Sequence, residues 1–282
     1  MQLPPMWQVT PLGVIAVIVG IAYEMGLRWL AHRQTPEHRR QSRRRSLAFY
    51  AGLLGLILVA SGPLERWGMK WLSVHMILHI LEMFYLPPLL IIGAPWVPLL
   101  FALPVDTRRR LLRRYYQSRS LRGLGSLVTN PIVAVVLFNA VMVFWHLPVI
   151  FDWASWHSWV MNWLMAPSFL LVGLLFWRVI LPSHPWPARG STRLQIAAII
   201  ATAFEMLVLA MAMSIFTKGP WYSMNVVMDG PAAALRDQRW AAGILWVCGD
   251  FWAVPALVLI AMRVSAASGG VSASFERALG RA

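Results

Sequence analysis

Seven separate runs of apolar residues dominate this chain, at 11–30, 46–62, 71–92, 131–151, 159–181, 194–216 and 239–262. Runs of about 17–25 residues, wound as helices at ~1.5 Å per residue, match the hydrocarbon thickness of a bilayer. Inside lipid every backbone N–H and C=O must be paired within the protein, so such runs form helices rather than open strands. The expected fold class is therefore all-α integral membrane, a seven-transmembrane-helix bundle built as one domain over 1–282. Composition agrees: 59% of the residues are hydrophobic and 13% charged, against roughly 45–50% and about 25% in soluble domains.

Charge orients the bundle. The net charge of +14 sits mostly in arginine blocks between the apolar runs. Arg33, Arg39, Arg40, Arg43, Arg44 and Arg45 follow the first run; Arg108, Arg109, Arg110, Arg113, Arg114, Arg119 and Arg122 follow the third. With Arg28, Arg178, Arg189, Arg193, Arg263, Arg277 and Arg281 they place 20 of the 25 basic residues on one side, which the positive-inside rule makes cytoplasmic. The expected topology has the N-terminus outside, the C-terminus cytoplasmic, and cytoplasmic loops at 31–45 and 105–130. The opening "MQLPPMWQVT" has no positive n-region or small-residue cleavage pattern and reads as a retained outer end. No nucleic-acid motif accompanies the charge, so the expected partner of these arginines is membrane lipid.

Against this apolar background the stretch Ser73–Phe84, "SVHMILHILEMF", is anomalous. At ~1.5 Å per residue from an outer end near Trp71, His75 and His79 lie roughly 6 and 12 Å deep, with Glu82 near the middle. At ~100° per residue His75, His79 and Glu82 share one helix face, and Met83 flanks it. Span four runs back and ends in "MVFWHLPVIF", which brings Met142 and His146 to the same outer third, with Pro148 freeing a backbone carbonyl one turn earlier at Phe144. His157 lies in the short outer connection that follows, and Met161 and Met165 continue down span five. His32, His38 and His184 fall in cytoplasmic segments and read as solvated.

Any one of these side chains can serve as interhelical glue or packing. Their coincidence at one level points instead to a site. Imidazole with thioether suits copper, Cu(I) especially, and the lone Cys248 leaves soft-metal chemistry to His and Met. Glu82, Glu205 and Asp250 each lie about eleven residues inside their spans and are expected to share a level, as proton carriers, ion acceptors or protonated helix bridges. Glu24 stands in register with Arg28 for an i,i+4 pair. Two other classes stay open: a haem-binding electron carrier ligated by histidines of spans three and four, and a proton-coupled transporter using the three acids. No nucleophile–base constellation suggests an enzyme.

The successive motifs "HMILH", "PPLLIIGAPWVPLL", "FWHLP", "FLLVGLLFW", "GPWY" and "LRDQRWAAGILWV" resemble, in order, those of the seven-helix CtaG-type cytochrome c oxidase assembly proteins. The resemblance implies a factor of the bacterial cytoplasmic (inner) membrane that supplies or handles copper for a copper-containing oxidase. Its implied partners are cytochrome c oxidase subunits and a periplasmic copper chaperone. It carries over His75 and His79, His146 with Pro148, and Asp237 with Gln238, the last pair at the outer mouth of span seven to orient a histidine or dock a partner. Where members of the family often carry a His and a Glu-His pair, this chain has Asn162, Met165 and Ala166. His157 and Met165 are the candidate substitutes.

Overall fold

The computed structural model describes residues 7–31 and 35–267, with the side chains of residues 248, 249 and 267 left aside. The first six residues, His32, Arg33, Arg277 and Arg281 thus lie outside the described residues. Every extended regular element within them is helical; the one β feature is an isolated bridge between Ser183 and Trp186.

Among the described residues five helices are long and apolar enough to cross a membrane: α1 (Pro11–Ala31), α2 (Pro36–Ser61), α4 (Leu72–Ile92), α10 (Ser158–Ile180) and α11 (Thr192–Ser214). Between α2 and α4 lies the short α3 (Pro63–Gly68). After α4 come α5 (Trp96–Ala102), α6 (Val105–Gln117) and α7 (Arg119–Val128). Then α8 (Pro131–His146) and α9 (Pro148–Ser155) lead to α10. The chain closes with α12 (Ser223–Asp229), α13 (Pro231–Asp250) and α14 (Ala253–Ala267).

Two expected spans are not single helices, and proline explains both. The fourth, expected over 131–151, stops at His146: Pro148 disfavours the helical region for the residue before it, and Leu147 adopts φ −62°, ψ 128°. The Phe144 carbonyl is then met by Leu147 N–H at 3.3 Å. At its other end α8 meets α7 at a bend of 65°. The seventh, expected over 239–262, begins at Pro231 and breaks between Asp250 and Ala253. Pro255 has no N–H to offer the Phe251 carbonyl and its ring crowds that group, which favours a break one turn before it.

The arginine segments are also not loops. Pro36 starts α2 at its first position after an extended Thr35, and the block Arg39–Arg45 rides on this helical extension. Arg108–Arg114 lie on α6, where Asp106 occupies the first turn. Arginine is a good helix former, and its charge does not require irregular backbone.

Helices α4 and α10 each contain one turn of π-helix, at Leu81–Tyr85 and Met161–Met165, closed by i→i−5 bonds from Leu86 to Leu81 and from Ala166 to Met161. Each lies just before a proline, Pro87 or Pro167, that cannot donate to the turn above it. The Met83 carbonyl freed by Pro87 accepts from Trp177 Nε1 at 3.2 Å. A Cβ at Gly173 would stand 2.9 Å from that same carbonyl oxygen, so only glycine lets α10 approach the π turn this closely.

The interhelix connections gather at two ends. At one, Asn225 donates to the Lys70 carbonyl and Ser223 N–H to Asp152, joining the α3–α4 connection, α9 and α12. At the other, Arg189 donates to the Thr129 carbonyl and Trp96 to Ser183, beside the exposed His38 and His184. Apolar side chains such as Ile15, Ile18, Ile21, Ile200 and Phe204 point outward, as a lipid-facing surface requires.

Candidate functional site

The site is built from the start of α4. Trp71 is extended, and the first N–H groups of the helix lack partners of their own. Asp237 on α13 supplies one, accepting from Leu72 N at 2.5 Å, from Ser73 N at 3.4 Å and from Ser73 Oγ at 2.5 Å. The helix so anchored presents His75 and His79 one turn apart, ring centroids 4.2 Å from each other and edge-on.

His146, the last residue of α8, completes a trio, its ring 5.8 Å from that of His79. Its Nδ1 lies 2.6 Å from the Met142 carbonyl. A carbonyl only accepts, so Nδ1 carries the proton and Nε2 presents a lone pair. That lone pair faces the Met76 sulfur at 3.3 Å. Tyr222 donates to the His146 carbonyl at 3.1 Å and fixes the chain where it breaks before Pro148. Phe151 and Phe169 wall the cluster at 5.1 Å from His75 and 4.4 Å from His79.

All three histidines are buried, and His75 Nε2 and both ring nitrogens of His79 have no hydrogen-bond partner. A neutral imidazole always carries one N–H, so His79 keeps an unsatisfied donor in the core, at a cost of about 1–3 kcal/mol. Among the described residues no three His, Cys, Asp or Glu side chains form a ready metal-holding group; the rings are packed against one another.

The other sequence candidates fall in several places. Met83, Met142 and Met165 are buried in the same apolar core, and Met142 gives the trio its backbone carbonyl. His157 is exposed, with Nδ1 donating to the Trp153 carbonyl at 2.7 Å and its ring beside Trp153. Gln238 is buried and joins the Trp221 N–H, at 2.6 Å, to the Met213 carbonyl, at 2.8 Å. Asp237 and Gln238 thus shape the backbone around the mouth. Glu82 is buried in the π turn of α4; Glu205 Oε1 and Asp250 Oδ1 are buried on α11 and α13 without a partner. Glu24 bonds Arg28 at 2.8 Å on the surface.

Met76 escaped sequence reasoning because it stands ~100° from His75 on the helix. The available signal was its heptad partner Met83, which lies on the same flank. A small cavity of about 10 Å³ reaches His75 from the mouth, lined also by Met69, Met161, Met224, Ser155 and Asn225. Beside the mouth, on α3, burial pushes the Glu65 carboxyl up to about 7.

Residues 21–267 match the sequence model of the cytochrome c oxidase caa3 assembly factors, Caa3_CtaG. The chain belongs to that family. Among its relatives, an uncharacterized protein of Mycobacterium bovis is 28% identical over 241 residues, 83% of this chain and 35% of its own length. A Mycobacterium tuberculosis protein shows the same figures, and one from Mycobacterium leprae is 24% identical over 257 residues, 88% of this chain and 37% of its own. The chain thus spans little more than a third of these relatives. No solved structure matches it. Asn162, Met165 and Ala166, where the resemblance implied a His and a Glu-His pair, fall on the π turn of α10 and the residue after it.

Proposed function

We propose that this chain assists assembly of a copper-containing cytochrome c oxidase by receiving copper, as Cu(I), at His75, His79, His146 and Met76. The observation that carries the reading is the His146 Nε2 lone pair facing the Met76 sulfur at 3.3 Å. Two soft donors meet there with no proton between them, an arrangement that a soft cation relieves. His75 Nε2 and whichever of the two unpartnered His79 nitrogens lacks the proton add imidazole donors that no other group engages. Copper is cargo in this reading, held between an outer donor and the oxidase, and the role is non-catalytic. The methionines lining the cavity above His75 offer thioethers along the approach. The topology that fits is seven spans with the N-terminus outside, counting α8 with α9 and α13 with α14 as broken spans, in a bacterial inner membrane. The partners would be oxidase subunits and a periplasmic copper chaperone.

Haem draws less support. A cavity of about 10 Å³ at His75 is far below the ~300 Å³ at which small-molecule pockets begin. The transporter reading is also weaker, because no hydrogen bond among the described residues links the carboxyls of Glu82, Glu205 and Asp250 into a proton path.

Titrating the purified protein with Cu(I) against a competing chelator tests the site. One ion per chain is expected, with His79→Ala and His146→Ala each losing most of the affinity and the double variant losing little more, since ligands of one ion are not additive. Additive losses would mean separate functions for the histidines. In cells under limiting copper, His75→Ala with His79→Ala should leave a haem-containing, copper-poor oxidase. Full copper content there would overturn the proposal.

A further inference from the structure

A second cavity lies at the arginine-rich end, between α8 and α10, with a volume of about 420 Å³. Its walls are apolar, formed by Val128, Ala134, Leu171, Leu174 and Leu175. Two guanidiniums, Arg178 and Arg189, also line it, with the indoles of Trp96 and Trp186 beside them. Arg178 is only 8% exposed, although it belongs to a membrane-length helix. It donates through Nη1 to the Leu181 carbonyl at 2.7 Å and through Nη2 to the Pro187 carbonyl at 3.0 Å. Arg189 Nη1 donates to the Thr129 carbonyl at 2.8 Å.

Carbonyls satisfy the N–H groups but carry no neutralising charge. Among the described residues the one ion pair is Glu24 with Arg28, so Arg178 has no carboxylate. A buried cation without a counter-ion is costly. A second guanidinium lining the same cavity sharpens the imbalance, and an anion would relieve it. The apolar remainder of the cavity calls for a hydrocarbon chain, and its volume lies in the range of ~300–1,000 Å³ usual for ligand pockets. Tryptophans at the rim are the usual neighbours of headgroups.

The geometry points to a site for one anionic phospholipid, its phosphate between Arg178 and Arg189 and an acyl chain between α8 and α10. Basic pockets between helices bind anionic headgroups in this way. The site does not depend on the copper reading.

Native mass spectrometry of the full chain in detergent, titrated with phosphatidylglycerol or phosphatidylcholine of identical chains, tests it. The wild type should prefer the glycerol lipid. Arg189→Gln, at an exposed position, should reduce that preference about fivefold, and Arg178→Gln with Arg189→Gln should nearly abolish it, at ~1 kcal/mol per charge and 1.4 kcal/mol per tenfold. Arg178→Lys in place of Arg178→Gln in the double variant should restore most of the preference shown by Arg189→Gln alone. Leu175→Trp should lower binding of both lipids by filling the cavity. The proposal falls if Arg113→Gln on α6 lowers the preference as much as Arg189→Gln, since the attraction would then be diffuse. It falls equally if inorganic phosphate at millimolar concentration displaces the lipid, or if the wild type shows no preference. Should the double variant not fold, Arg189→Gln and Leu175→Trp still decide.

Discussion

His146 is held by Nδ1, so the face it offers to the cluster is Nε2, and what that face meets is the Met76 thioether. Leucine has nearly the volume of methionine and no donor atom. Met76→Leu should therefore change stability by less than about 1.5 kcal/mol while weakening Cu(I) binding, and Met83→Leu should leave binding unchanged. Thermal unfolding and chelator competition read the two effects separately; equal binding by both variants would remove Met76 from the site. At the mouth, Glu65 behaves differently from an exposed glutamate because burial raises its carboxyl to about 7. Between about 4.5 and 7 the unfolded chain has already lost this proton and the native chain still holds it. Stability must then fall as pH rises through that window and level off above it. Glu65→Gln should flatten this part of a stability–pH curve, and an unchanged slope would assign it to other groups.

At the scale of elements, α4 is the unit that carries the site, and its start depends on a residue 165 positions away. Removing the carboxylate by Asp237→Ala leaves Leu72 N and Ser73 without their acceptor, a loss of about 0.5–2 kcal/mol for a helix cap. The first turn then frays next to His75, so Cu(I) affinity should fall although no ligand has been touched, and Asp237→Asn should recover part of both losses. A variant that melts lower but binds copper as tightly would make Asp237 a brace for the fold alone. The π turn of α4 is held from the other side, where Trp177 occupies the Met83 carbonyl that Pro87 leaves open.

Across the whole molecule the two polar features lie at opposite ends, the histidine cluster near the Asp237 mouth and the Arg178 cavity among the arginine-bearing connections. Orientation thus decides which leaflet each one faces. The positive-inside rule assigns the arginine-rich end to the cytoplasm. Gly123 on α7 has nothing within 4 Å of an added Cβ, which makes Gly123→Cys a mild probe in a Cys248→Ser background. An impermeant thiol reagent should label it only after the cells are opened. Labelling from outside intact cells would invert the topology and move the histidines to the inner half.

Several properties were legible in the sequence alone because they are local. The length of each apolar run dictates a helix in lipid. The spacing of His75 and His79 puts them on one face, and the ordered motifs point to the family. Pro148 and Pro255 mark breaks that follow from a missing N–H, yet the apolar runs continue through both prolines, so hydropathy extended spans four and seven past them. The rest depended on tertiary structure. Met76 reaches His146 across 70 positions, Asp237 reaches Ser73 across 164, and His157 turns away to Trp153. Two arginines from different segments come to line one cavity. Helical periodicity specifies the direction of a side chain only relative to its own axis. The rotation and depth of each helix against its neighbours come from the packing of many side chains at once, including contacts as close as Gly173 against Met83, and no single segment encodes them.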